Sequence, residues 1–111
     1  MNGTTPTKDE KALWSRIAAY GCVACRKDGW RNLEVSIHHI DGRTKPGAHR
    51  KVLPLCYHHH QSGNPDAPSV HPWKARFEAR YGTQAELLAE VMEAIVELTG
   101  AAHNEQKWVM P

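Results

Sequence analysis

Cys22-Val-Ala-Cys25 and Cys56-Tyr-His-His59 repeat one spacing at two distant places in the chain. Ligands two residues apart can reach a single tetrahedral ion from one turn, with bonds of about 2.0–2.3 Å. Each half on its own is weak, because a lone C-x2-C suits a redox pair as well as half of a zinc site. A thioredoxin-like pair would follow a strand and precede a helix. Here a helical pattern comes first, and a loop and a strand follow. The two halves together therefore favour a structural zinc site held by Cys22, Cys25, Cys56 and His59, and closing it constrains the path of everything between.

Most of the chain's eight histidines lie in or beside that intervening stretch. Leu33-Glu-Val-Ser-Ile-His-His-Ile40 alternates apolar and polar residues, which predicts a strand with Leu33, Val35 and Ile37 on one side and Glu34, Ser36 and His38 on the other. In that strand His38 and His39 point to opposite sides of the backbone, so one can bind a metal while the other addresses a reacting water. Asp41-Gly42 opens a turn into a basic Gly/Pro loop carrying Arg43, Lys45, His49, Arg50 and Lys51. Val52-Leu-Pro-Leu55 reads as a short second strand, placed at an edge by Pro54, which delivers Cys56 to the zinc. His60 sits next to His59, where it can face the other way.

The flanks read as support. Thr7 with Glu10 forms a capping box ahead of Ala12, Leu13, Ile17 and Tyr20 at helical spacing, so a helix should run from Thr7 to about Gly21 with Trp14 as a packing residue. Cys22 and Cys25 should follow in a turn, with a polar loop to Asn32. Residues 62–69 are turn-rich. Pro72 suits the first turn of a helix bearing Trp73, Phe77 and Tyr81, which puts His71 at that helix's start. Gly82 stops it, and Thr83 with Glu86 opens a last helix whose Leu87, Leu88, Val91, Ile95 and Leu98 share a face, ended by Gly100. Residues 1–6 and 101–111 read as peripheral tails, with Trp108 able to dock. The expectation is one α+β domain over residues 1–111.

With three cysteines a complete disulfide framework is arithmetically awkward, and no charged-apolar-small leader precedes residue 20, so a cytoplasmic protein with metal-binding thiolates is expected. No apolar run approaches the roughly 20 residues of a membrane span. The net charge of +2 hides a segregation: residues 26–51 are basic, whereas residues 83–99 carry four glutamates and no base. That suits a polyanion bound on one face, although two solvated faces would give the same pattern.

At these residues the chain resembles the zinc-stapled HNH, or ββα-metal, endonucleases. More narrowly, His38-His-Ile-Asp-Gly-Arg-Thr-Lys-Pro-Gly47, Leu53-Pro-Leu-Cys56, His59-His-Gln61 and His71-Pro-Trp-Lys-Ala-Arg-Phe-Glu78 are similar to the phage recombination-enhancement nucleases of the Ref family, over about Cys22 to Leu88. The resemblance implies a RecA-dependent DNA endonuclease, phage- or prophage-encoded. It implies a ββα-metal core with an N-terminal helix and two C-terminal helices. By position it makes Cys22, Cys25, Cys56 and His59 the structural Zn²⁺ ligands and His39 the general base. His38, His60 and His71 match ligands of a catalytic Mg²⁺ or Mn²⁺. Two positions depart from the pattern. The middle asparagine of the HNH signature falls near Lys51 or His49, and the last ligand of many relatives falls at Asn64. The larger Ref protein is preceded by a basic arm, and DNA binding here is expected to proceed without one.

The expected chemistry is metal-assisted hydrolysis of a phosphodiester, with Arg43, Lys45, Arg50 and Lys51 on flanking phosphates and the cleavage made on DNA carrying a RecA filament. The protein is expected to act as a monomer. The competing reading is a zinc-stapled nucleic-acid-binding module without catalysis. It has no use for four further histidines, His38, His39, His60 and His71, converging on one spot.

Overall fold

The computed structural model describes residues 5–102. Helix α1 spans Lys8–Tyr20 and starts on a complete capping box: Glu10 N–H donates to Thr7 Oγ1 at 3.1 Å and Thr7 N–H to Glu10 Oε1 at 2.8 Å. Gly21, at φ +89°, ends it in a conformation that favours glycine. The chain then enters a second, very short helix, α2 (Val23–Lys27), where a turn was expected. Its cap is Cys22, whose Sγ accepts from Cys25 N–H at 3.4 Å, so the pair is pre-set by local backbone.

Strand β1 covers Ser36–His39 and pairs antiparallel with β2, Val52–Leu55, in the register Ser36 to Leu55 through His39 to Val52. The sheet has two strands, so Pro54 sits in an edge strand where a missing N–H is tolerated. β1 is shorter than the alternating pattern, and its faces are used differently from the expectation. Leu33 is 58% exposed, whereas His38 is buried at 3%. The reason is the partner: β2 offers four residues, so the ladder ends at Ser36 and Leu33 has nothing to pack beneath. A one-turn 3-10 segment, Ala48–Arg50, precedes β2 and buries His49.

Helix α3 (Tyr57–Gln61) follows β2 directly, and α4 (Lys74–Tyr81) and α5 (Gln84–Ala102) complete the order. Thr83 and Glu86 form the expected second capping box, at 2.9 and 3.1 Å. α5 does not stop at Gly100 but runs through it, so Ala101 and Ala102 are helical rather than tail. The expectations for residues 1–4 and 103–111, including a docked Trp108, lie outside the described residues.

The core is built from Leu13 and Ile17 of α1, Val23 of α2, Val52, Leu53 and Leu55 of β2, Val70, Phe77 of α4, and Leu87, Val91 and Ile95 of α5. Each such side chain contributes roughly 1.5–3 kcal/mol by leaving water. All four residues of β2 are buried, so the strand is held from both faces and its two ends, leading to His49 and Cys56, are held with it. The fold is thus a small α+β unit: a two-stranded antiparallel sheet enclosed by helices. Among the described residues, no helix is long and apolar enough to cross a membrane.

Candidate metal centres and catalytic site

The buried end of the sheet gathers Cys22 and Cys25 from the start of α2, Cys56 from the cap of α3, and His59 from within α3. Cys25 Sγ lies 3.8 Å from Cys56 Sγ, and His59 Nδ1 lies 3.6, 3.5 and 3.3 Å from the sulfurs of Cys22, Cys25 and Cys56. A tetrahedral ion with bonds of about 2.0–2.3 Å separates its ligands by roughly 3.5–3.8 Å, so these spacings match. The cysteines are free thiols, which leaves them available as ligands.

His59 is held in the tautomer such a site requires. Tyr81 Oη donates to Asp28 Oδ2 at 2.8 Å, so it must accept from His59 Nε2–H at 3.0 Å, leaving the Nδ1 lone pair turned to the sulfurs. Arg80 secures Asp28 at 3.1 Å. Burial lowers the His59 pKa, with His58 adding to the effect, and so keeps the ring neutral. Burial also raises the thiol pKa of Cys22 and Cys25, so without a cation the thiols hold their protons. The fit to zinc is good, and the group can hold it. A redox pair between Cys22 and Cys25 loses its basis, because both cysteines face Cys56 and His59.

A second group forms from His38, His60 and His71, whose ligand atoms lie within 4.8 Å of one another. The rings stand 5.1 Å (His38–His60), 5.2 Å (His38–His71) and 5.6 Å (His60–His71) apart. His71 reaches this group by a route the sequence did not indicate. It lies in a turn before α4, not at the helix start, and the segment folds back on α3 through Val70 N–H to His59 O at 2.8 Å and His71 N–H to His60 O at 3.1 Å. The loop separating His60 from His71 in sequence therefore brings them together in space. The His71–Pro72 peptide is cis.

Two of the three rings have one nitrogen engaged elsewhere. His38 Nε2 lies 2.6 Å from Gln84 Oε1. His60 Nδ1 lies 3.0 Å from Ser36 Oγ, which gives its own hydrogen to Leu55 O at 3.4 Å and so accepts from the imidazole. One lone pair remains on each ring, which is how ligating histidines are held. Burial pushes the His38 pKa down to about 4, and burial with His71 nearby lowers that of His60. Neutral imidazoles are the ligand form, and three of them leave positions on a divalent ion open.

His39 faces the other way, as strand alternation demands, and is not a member of that group. The expected convergence of four histidines is a convergence of three. His39 Nε2 instead lies 3.0 Å from His49 Nδ1, and the Trp14 indole packs edge-on to both rings at 5.3 and 5.5 Å while its Nε1 donates to His49 O at 2.7 Å. Burial lowers the His39 pKa, and Arg43 and His49 lower it further. Trp14 is therefore packed, as expected, but packed against the candidate base.

A family model described as recombination enhancement, RecA-dependent nuclease matches residues 6–96. The chain belongs to that family. Membership makes it a nuclease, in a family named for its dependence on RecA and its part in recombination, and so involves it with DNA and RecA. The match covers both metal-capable groups and the His39–His49 pair.

The remaining expected site residues of this RecA-dependent nuclease are placed as follows. Arg43 and Lys45 are exposed on the loop, whereas Arg50 is paired with Glu10 and Lys51 with Asp41, each at 3.7 Å. Such exposed pairs are worth at most about 1 kcal/mol and open readily for a phosphate. Asn64 uses its Oδ1 to accept from Asp66 and Ala67 N–H, both at 2.9 Å, and so shapes its own turn. Gln84, Ser36, Tyr81 and Asp28 were not singled out from the sequence. Nothing local marks them, since each acts by contacting a histidine from another element.

Proposed function

We propose that the protein is a metal-dependent DNA endonuclease of the HNH, ββα-metal type, hydrolysing phosphodiesters on DNA engaged by a RecA filament. The observation that carries this reading is the group of His38, His60 and His71, drawn from a strand, a helix and a returning loop, with burial favouring the neutral ring at His38 and His60. It lies beside a separate Cys/His group suited to structural zinc, so the three histidines are surplus to stability. In this reading they hold a Mg²⁺ or Mn²⁺ ion. Such an ion, when bound, would neutralise charge on the phosphate and the leaving oxygen.

The chain's own residues supply the rest. His39, neutral at cellular pH, accepts a proton from the attacking water. His49 at 3.0 Å and the Trp14 ring at 5.3 Å hold its imidazole. Arg43 and Lys45, with Arg50 and Lys51 once released from their carboxylates, take the flanking phosphates and give salt-dependent, sequence-independent affinity.

The test is incubation of supercoiled plasmid with Mg²⁺ or Mn²⁺, with and without RecA filaments. Metal-dependent nicking or linearisation, stimulated by RecA, is the expected result. Binding without cleavage under any metal would replace the enzyme with a zinc-stapled binding module.

A further inference from the structure

A groove of about 320 Å³ opens beside His60, a member of the three-histidine group. Its walls are Glu34, Val35, Ser36, Tyr57, His60 and Gln61. Two of these, Ser36 and His60, are the residues whose hydrogen bond at 3.0 Å sets the orientation of the His60 ring. The groove is thus continuous with the candidate catalytic site through a shared side chain.

The chemistry of the walls does not suit a phosphate. Glu34 is an exposed carboxylate, and the groove is lined by neither lysine nor arginine. It does suit a nucleobase. Tyr57 is 68% exposed on the first residue of a helix, and it offers a face on which any base can stack. Val35 supplies a second apolar surface. Glu34 can accept from an exocyclic amino group, and Gln61 and Ser36 can donate to or accept from ring atoms. The ring and the polar groups come from different elements, β1 with its approach and α3, so the groove is a built pocket between them.

We infer that this groove is a subsite for one unpaired nucleobase next to the scissile phosphate. The inference rests on the proposed nuclease reading and adds to it the form of DNA the site accepts. A paired base is stacked within its duplex and presents no free face to Tyr57, so occupancy demands a single-stranded or locally opened strand. The basic loop at Arg43 and Lys45 then holds the backbone, and the groove holds the base.

The experiment compares the parent with Tyr57→Ala, Tyr57→Phe and Glu34→Gln, measuring affinity for a single-stranded oligonucleotide carrying 2-aminopurine and for a duplex of the same sequence, without added Mg²⁺ or Mn²⁺. Cleavage is assayed in parallel. Tyr57→Ala should weaken single-strand binding about 5- to 100-fold, the worth of one stacked base, and abolish the fluorescence change of the reporter base. Duplex binding should stay within about twofold, and Tyr57→Phe should bind as the parent does. Glu34→Gln should alter preference among bases rather than overall affinity. Single-strand binding by Tyr57→Ala equal to the parent's, or an equal loss on duplex, would overturn the subsite. So would a defect seen only with RecA protein present, which would give the surface to the filament instead. If the parent cuts no DNA yet shows the Tyr57-dependent single-strand preference, the catalytic reading fails and the base subsite stands. If it cuts and Tyr57→Ala is indistinguishable, the subsite fails alone.

Discussion

His38 Nε2 lies 2.6 Å from Gln84 Oε1, joining the sheet to the first residue of α5. Gln84 is oriented by its own amide, which donates to Glu78 Oε2 at 3.4 Å and so turns the carbonyl oxygen to the histidine. An amide oxygen only accepts, so His38 carries its proton on Nε2 and keeps Nδ1 unprotonated. A buried glutamine thereby settles which atom of His38 is available as a ligand.

Gln84→Leu should preserve the fold and the zinc content while weakening binding of the divalent ion at the histidine group by about 10- to 100-fold, the usual effect of losing such a supporting contact. The measurement is the Mn²⁺ concentration giving half-maximal cleavage. An unchanged value would mean that Gln84 only fills space beside His38.

Cys56→Ser removes one of four ligands from the buried Cys/His group. Structural zinc contributes about 10 kcal/mol or more to folding, as much as the net stability of most small domains. The variant should lose zinc by elemental analysis and lose its cooperative melting transition. A Cys56→Ser protein that melts like the parent would remove zinc from the account of stability.

His39→Ala and His71→Ala should fail differently. The first should lower cleavage by roughly 10²- to 10⁴-fold with zinc and DNA affinity kept, and raising Mn²⁺ should not restore it, since an ion cannot replace a proton acceptor. The second removes a ligand, so excess Mn²⁺ should recover part of the activity. His49→Ala should produce a milder version of the His39 defect. Recovery of His39→Ala by metal, without recovery of His38→Ala, would exchange the two roles.

Acid should destabilise the protein in a defined window. Burial holds the His38 pKa near 4, below its ordinary 6.5, so the fold favours the neutral ring. A depressed folded-state pKa contributes stability that is fully present above 6.5 and is lost as pH falls toward 4. His59 and His60 are shifted in the same direction. The melting temperature should therefore drop between pH 7 and pH 4.5, and His38→Gln should flatten its share of that slope. A parent melting temperature constant across the window would refute the burial argument.

Much of this molecule is legible before folding, wherever the signal is local. Thr7 with Glu10 and Thr83 with Glu86 announce helix starts because each box closes over three residues, and both are present. Cys22 with Cys25 and Cys56 with His59 announce a shared metal-capable group because each pair is set by one turn of backbone. The alternation at His38 and His39 fixes that they face apart. Local pattern misled where pairing intervened: Leu33 belongs to the alternation yet is exposed, because β2 is too short to extend β1 to it. The contacts that tune the site were decided by packing alone. Gln84 meets His38 across 46 positions and Asp28 meets Tyr81 across 53. His71 joins His60 because residues 62–70 fold back on α3, and His49 meets His39 because burial of β2 brings the preceding turn against the end of β1. Such contacts leave no spacing in the chain, since their geometry is set by how the core elements stack and not by the residues that happen to meet.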